Sequence, residues 1–262
     1  MARFCPLFSG SSGNCLYVGT STDGVLIDAG VSARRMERAL LDRQIDPRTI
    51  SAIFVTHEHR DHIAGLRVFQ KKYGIPVYAS VGTKLGIQEA DALADCDDCH
   101  PITDAIELDS FRVESFSTSH DSRECTGFRM SLRDGRTVGI VTDLGVVTAA
   151  VREKLSGCDF VHIESNHDVR MLENGRYPYV LKRRILSATG HLSNELCAAE
   201  LPALLRSGTT RFVLGHLSCE NNLPELAEAT AVAALTSCGA LRDVDYLLET
   251  APAENDRPYT IF

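Results

Sequence analysis

Ala52-Ile53-Phe54-Val55-Thr56-His57-Glu58-His59-Arg60-Asp61-His62 sets an apolar run of strand length directly against three histidines and an aspartate. The run predicts a buried strand. After the cluster, Ile63, Leu66, Phe69 and Tyr73 form a helical stripe that Gly74-Ile75-Pro76 ends before a strand at Val77-Tyr78-Ala79. A strand-loop-helix unit therefore carries the cluster. In an extended segment His57 and His59 face the same side, so both imidazoles can reach one ion. Asp61 and His62 fall where the chain turns into the helix, re-aimed toward a neighbouring ion. The bland alternative is a solvated His-rich turn, and an Asp-His pair set directly before an apolar helical stripe argues against it.

Working outward, Cys15 to Val18 and Val25 to Asp28 read as strands around the turn Thr22-Asp23-Gly24. Ser32 reads as the N-cap of a helix with Ala33, Met36 and Leu40 on one face, stopped by Asp46-Pro47. Phe111 to Phe116 alternates apolar and polar residues and leads to His120. Gly127 to Leu132 and Thr137 to Thr142 form a hairpin around Asp134-Gly135 that ends at Asp143. Phe160 to Ile163 and Phe212 to Leu214 end near Glu164 and His216. Five strand ends thus carry Asp28, His57, His120, Asp143 and His216, and rigid strands can gather such groups at one edge of a sheet. Taken singly, His120 and His216 are ordinary histidines. Taken with the cluster, His120 completes a first site with His57 and His59, His216 a second with Asp61 and His62, and Asp143 bridges the two. All seven donors are nitrogen or oxygen, which suits Zn, Mn or Fe. Two such ions with open positions for water are what a hydrolase uses to activate water near neutral pH.

The bulk composition sets the frame. Over 262 residues, 44% are hydrophobic and 24% charged, so the chain can bury a sizeable core. With neither long linker nor repeat, residues 1–262 read as a single domain. No apolar stretch approaches the ~20 residues of a membrane helix, and the first residues are too soon interrupted to be a signal sequence. Nine scattered cysteines read as reduced thiols, placing the protein in the cytoplasm without a membrane partner. A net charge of −8 argues against a broad basic face for nucleic acid, without excluding a local site. Cys96-Asp97-Asp98-Cys99-His100 fits the haem-attachment pattern, but that chemistry needs export. The run Ser9-Gly10-Ser11-Ser12-Gly13-Asn14 lacks the Gly-Lys-Ser/Thr of a phosphate loop and reads as a tight turn between strands.

The motifs resemble those of the metallo-β-lactamase superfamily: Asp28 within Leu26-Ile27-Asp28-Ala29-Gly30, the His57 to His62 cluster, His120, Asp143 within Val141-Thr142-Asp143-Leu144-Gly145, and His216. The resemblance spans almost the whole chain. It implies an α/β fold, a four-layer αββα sandwich with the site at one edge. It also implies that Asp28 orients the cluster rather than ligating. Within the superfamily, the Ser9 to Asn14 run, Glu164-Ser165-Asn166-His167-Asp168, Gly190-His191-Leu192-Ser193-Asn194, His216-Leu217-Ser218 and Asn221-Asn222 resemble the bacterial YycJ/WalJ-type branch. That branch is associated with 5′ to 3′ exonuclease action on DNA. Glu164 and His191 are also similar to the pair that tRNA 3′-processing endonucleases of this fold use beside their metals. Only 23 positions separate His120 from Asp143 and 73 separate Asp143 from His216, which leaves no room for a large capping domain or a tRNA-gripping arm.

His191 precedes Ser193, the expected N-cap of a helix with Leu196, Cys197 and Leu201, so its ring sits where a helix terminus favours an anion. It can donate a proton to a leaving oxygen, with Glu164 supporting it, while Asp61 orients the nucleophile. Lys182, Arg183 and Arg184 form the densest basic run, read equally as phosphate contact or solvated helix face. The reading is metal-assisted phosphodiester hydrolysis with two divalent ions, zinc first and manganese or iron next. Single-stranded DNA is the substrate the resemblance implies. Two alternatives stand beside it: hydrolysis of a small ester, thioester or lactone, and a metal-binding regulatory protein without turnover.

Overall fold

Central strands that are apolar on both faces need a layer on each side, and the chain supplies four layers. The computed structural model describes the backbone of residues 1–262 and every side chain but that of Cys96. Six strands open the first sheet: β1 (Arg3–Phe8), β2 (Cys15–Gly19), β3 (Gly24–Ile27), β4 (Ile50–Phe54), β5 (Val77–Ala79) and β6 (Cys99–Pro101). The second sheet follows with β7 (Ile106–Glu107), β8 (Phe111–Ser117), β9 (Thr126–Leu132), β10 (Thr137–Val141), β11 (Phe160–Glu164), β12 (Arg211–Gly215) and β13 (Leu247–Thr250). The chain then returns, and β14 (Thr260–Ile261) pairs antiparallel with β1 at the edge of the first sheet.

Each sheet is antiparallel on one side and parallel on the other. In the first, β3, β4, β5 and β6 are parallel neighbours; in the second, β10, β11, β12 and β13 are. Strand alternation divides the core. Val25 and Ile27 of β3, Phe54 of β4, Phe128 of β9, Ile140 of β10 and Val213 of β12 join one cluster between the sheets. Leu26 and Ile53 face the helices α1 (Ala33–Leu41), α3 (Leu66–Tyr73) and α4 (Val81–Glu89). Val141, Phe212 and Leu214 face α5 (Ala149–Leu155), α8 (Asn194–Arg206) and α9 (Pro224–Ser237). This is the αββα sandwich. Three short helices lie near the site: α2 (Arg60–Ile63), α6 (Val169–Asn174) and α7 (Tyr179–Ile185). No helix among the described residues is long and apolar enough to cross a membrane.

Three local expectations need adjustment. The stripe from Ile63 to Tyr73 is two helices, broken at Ala64-Gly65, because Gly65 lies against Val31: a Cβ there would sit 1.9 Å from the Val31 carbonyl oxygen. The helix capped by Ser32 ends at Leu41, and Asp46-Pro47 opens a separate 3-10 turn with the Asp46 side chain accepting from Arg48 N. The strand expected from Ala52 to Thr56 runs from Ile50 to Phe54, which leaves Thr56 and the histidines on the loop beyond it. Of the C-x-x-C-H pattern, the Cys96 side chain lies outside the described residues; Cys99 is buried and His100 exposed.

Candidate metal centre

Parallel pairing aligns strand ends, and this alignment builds the site. Ile27 pairs with Phe54, Val141 with Ile163, and Glu164 with Gly215, so the chain leaves β3, β4, β10, β11 and β12 at one edge. Strand β8 is two antiparallel steps from β10, which restores its direction and delivers His120 to the same edge. Three of these exits turn through the left-handed region: φ is 64° at Asp28, 58° at Asp143 and 54° at His216. Non-glycine residues bear such a conformation at a cost of about 1–3 kcal/mol each, which surrounding contacts must offset.

On the first sheet's side, the contacts are local. The Asp28 carboxylate accepts from Thr56 N at 2.8 Å and from the Thr56 hydroxyl at 2.9 Å, and it meets His62 Nδ1 at 2.8 Å. The Thr56 hydroxyl also lies 3.0 Å from His57 Nδ1. His57 and His62 thereby turn their Nε2 atoms away from Asp28, and His57 Nε2 comes within 3.0 Å of His59 Nδ1. Gly30 packs directly under Asp61, where a Cβ would stand 1.7 Å from the Asp61 carbonyl oxygen.

On the second sheet's side, one carboxylate organises the rest. Glu164 is fully buried; Oε1 lies 2.7 Å from His216 Nδ1 and 2.9 Å from His191 Nδ1, while Oε2 accepts from Leu144 N and Leu192 N. His120 Nδ1 rests 3.1 Å from the Gly190 carbonyl oxygen. Asp143 sits between the halves: its oxygens are 3.5 Å from His62 Nε2, 3.5 Å from His216 Nδ1 and 3.9 Å from His120 Nε2.

Four groupings have donor atoms within 4.8 Å of one another and could hold a metal: His57 with His59 and His120; Asp61 with His62 and His216; His57 with His62 and Asp143; and Asp143 with Glu164, His191 and His216. Six of the nine histidines meet here. Asp143 Oδ2 and His216 Nε2 have no hydrogen-bond partner among the described residues, though both residues are only 2% exposed. Buried polar atoms left in this state are unusual in folded proteins, and an ion is one of their recognised partners. The all-nitrogen-and-oxygen donor set fits a divalent cation.

The electrostatics agree with that fit. Burial and the surrounding imidazoles hold His57 well below the usual histidine range, so it is a neutral donor. Burial opposes charge on His216, but Asp143 and Glu164 outweigh it and push the pKa up to about 9. Burial likewise opposes charge on His191, and Glu164 followed by Asp143 overturns it. Burial resists ionisation of Glu164, and the His191 and His216 rings override it, keeping the carboxylate ionised well into acid. The centre is open on the side of Asp61, 29% exposed, and His191, 16% exposed. A cleft of about 530 Å³ lined by Ser11, Ser12, Ser32, Arg35, Arg60 and Asp61 adjoins it.

All nine expected site residues and Asp28 thus come together at one edge. Sequence reasoning missed Asn14, whose Nδ2 lies 3.0 Å from His62 Nε2 and 3.4 Å from Asp61 Oδ2. It also passed over Thr56, the hydroxyl that links Asp28 to two histidines, although Thr56 opens the very motif that was read. Ser193 caps α8 as expected, accepting from Leu196 N at 3.2 Å. The basic run divides: Arg184 pairs with Asp121 at 2.9 Å and Lys182 donates to the Glu173 carbonyl, while Arg183 is exposed.

Fold and site define a hydrolase with a metal-binding edge between two sheets, and the comparisons narrow that class. Residues 24–217 match the Beta-lactamase superfamily domain. The chain is 37% identical over 239 residues to Exodeoxyribonuclease YycJ of Bacillus anthracis, covering 90% of each. It is 36% identical to Exodeoxyribonuclease WalJ of Streptococcus pneumoniae, covering 98% of this chain and 97% of that one. Among solved structures, the metallo-β-lactamase fold protein YhfI from Bacillus subtilis superposes with a TM-score of 0.70 at 15% identity, over 97% of this chain and 98% of that one. The chain belongs to the metallo-β-lactamase superfamily, in its YycJ/WalJ-type branch, and is a metal-dependent hydrolase.

Proposed function

We propose that this chain hydrolyses phosphodiester bonds in single-stranded DNA, as a 5′ to 3′ exonuclease using two divalent cations, zinc being the first expectation. The observation that carries the reading is the Glu164 bridge, which fixes a partly exposed His191 beside the donor cluster while orienting His216 within it. The exodeoxyribonuclease names of two relatives covering most of the chain support the same substrate class.

In this reading His57, His59 and His120 would hold one cation, Asp61, His62 and His216 the other, and Asp143 would serve both. Bound ions supply electrostatic stabilisation of the charge that develops at phosphorus, and acidify water. Asp61, the most exposed of the acids in the cluster, orients the attacking water. Glu164 holds His191 by Nδ1 and leaves Nε2 free to donate a proton to the departing oxygen, a step typically worth 10²–10⁴-fold. Asp28 and Thr56 hold His57 and His62 by Nδ1 and leave their Nε2 atoms on the side of the donor cluster, where they would meet the ions. A cytoplasmic setting suits the free thiols of Cys5, Cys15, Cys125, Cys158, Cys197, Cys219 and Cys238.

The test compares the protein, freed of metal and reloaded with zinc or manganese in turn, on 5′-labelled single-stranded DNA, bis-p-nitrophenyl phosphate and a thioester. Metal-dependent release of nucleotides from the DNA is expected. Thioester turnover without any cleavage of DNA would remove the nuclease reading.

A further inference from the structure

Residues 176–184, Arg-Tyr-Pro-Tyr-Val-Leu-Lys-Arg-Arg, hold four basic and two aromatic side chains and no acid, in a chain whose net charge is −8. Their fold gives this composition a direction. The C-terminal end of α7 is bound to the metal centre. Arg184 pairs with Asp121, whose Oδ1 is 3.4 Å from His120 Nε2; Asp121 N donates to the Thr189 carbonyl at 3.0 Å; and His191 N donates to the Ile185 carbonyl at 3.0 Å. A Cβ on Gly190 would sit 2.2 Å from the Ile185 carbonyl oxygen, so helix and site loop are in direct contact. The other end stands in water. Tyr179 is 73% exposed and Val180 79%, which with Met1 and Val244 makes them the four most exposed large apolar side chains among the described residues.

The charges sort in the same way. Arg184 and Lys182 are committed to Asp121 and to the Glu173 carbonyl. Arg176 and Arg183 are exposed, and their side chains have no ion-pair or hydrogen-bond partner among the described residues. Tyr179 and Arg183 are four residues apart on one helix and so share a face. A solvated helix face accounts for the free arginines but not for a tyrosine and a valine left in water beside them. An exposed aromatic ring next to unpaired cations is the combination that takes unstacked bases and their phosphates.

We infer that α7 and the turn before it form a platform for single-stranded DNA, with Tyr179 stacking a base and Arg176 and Arg183 holding the neighbouring phosphates. The inference rests on the nuclease reading above and deepens it. Seven helical residues span roughly 10 Å along the axis, so the platform lies beside the reacting phosphate and not at a remote surface. The preference for a single strand follows from the ring: bases inside a duplex have no free face to offer it.

The experiment measures kcat/KM of the metal-loaded protein on labelled single-stranded DNA and on bis-p-nitrophenyl phosphate, which has no base to stack, and reports their ratio. Tyr179→Ala lowers the ratio by about tenfold, the scale of one stacked base, and Tyr179→Trp restores it. Arg176→Gln with Arg183→Gln weakens affinity for the strand and flattens its dependence on salt. An unchanged ratio in Tyr179→Ala overturns the platform and leaves the nuclease reading standing, as does equal affinity of the wild type for a blunt duplex. A wild type that neither binds nor cleaves the strand overturns both.

Discussion

The two sheets bring their groups to the shared edge by different means. The first supplies His57, His59, Asp61 and His62 from one continuous segment after β4, the loop and the short helix α2, with Asp28 beside it just past the end of β3. Asp28, His57 and His62 are wired through Thr56, a neighbour in sequence of the two histidines. The second supplies His120, Asp143, Glu164, His191 and His216 from separate loops between positions 120 and 216. There, the wiring is a single buried carboxylate, Glu164, with four partners. A local loop distributes its geometry over several short-range contacts. A hub concentrates it, so losing the hub should disturb more than losing any one contact of the loop.

The sharpest way to break this comparison is at Asp143, which lies between both halves. Asp143→Asn keeps a residue type that tolerates the left-handed backbone but removes the shared charge. Activity should fall on the order of 10³-fold, the scale of losing a primary electrostatic group, and metal analysis should show both ions lost. His59→Ala should keep one of them. Two ions retained by Asp143→Asn would show that the halves bind independently.

The next effect sets the hub against the loop. Glu164→Gln leaves an amide that cannot accept from both imidazoles and both backbone N–H groups as the carboxylate does. A loss of about 10–100-fold in kcat/KM is expected, the range for groups that orient metal ligands. Asp28→Asn should fall near the lower end, about tenfold, because the Thr56 hydroxyl still bridges His57 and His62. Side-by-side kinetics decide the order. If Asp28→Asn proves the costlier change, the loop and not the hub governs the site.

The smallest effect concerns the second sheet alone. His162 on β11 is fully buried with neither ring nitrogen hydrogen-bonded, and its ring fills the space above Gly215, where a Cβ would meet it at 2.2 Å. Burial, then the nearby His216, pushes its pKa down to about 3. The folded protein keeps this ring neutral while the unfolded chain protonates it below pH about 6.5. Its stability is therefore complete above that pH and declines as pH falls toward about 3, by up to about 1.4 kcal/mol per pH unit. Urea titrations at pH 7 and pH 5 should show a smaller decline for His162→Leu than for the wild type. An equal decline would place the acid sensitivity elsewhere.

What could be read from residues alone follows from this division. The strand at β4, the cluster after it, the hairpin at Asp134-Gly135 and the caps at Ser32 and Ser193 were legible because each is written within a few consecutive positions. His120, Asp143 and His216 could be picked out as strand ends, since the last apolar residue of a buried strand marks the sheet's edge. That these ends face one another was decided by parallel register, which no spacing in the chain expresses. The same holds for Glu164 joining His191 to His216, for Asn14 reaching His62 across 48 positions, and for Gly65 breaking a helix against Val31. Sequence sets side-chain chemistry and the geometry of near neighbours. Contacts between distant segments arise only when two twisted sheets close on a common core and bring their exits together.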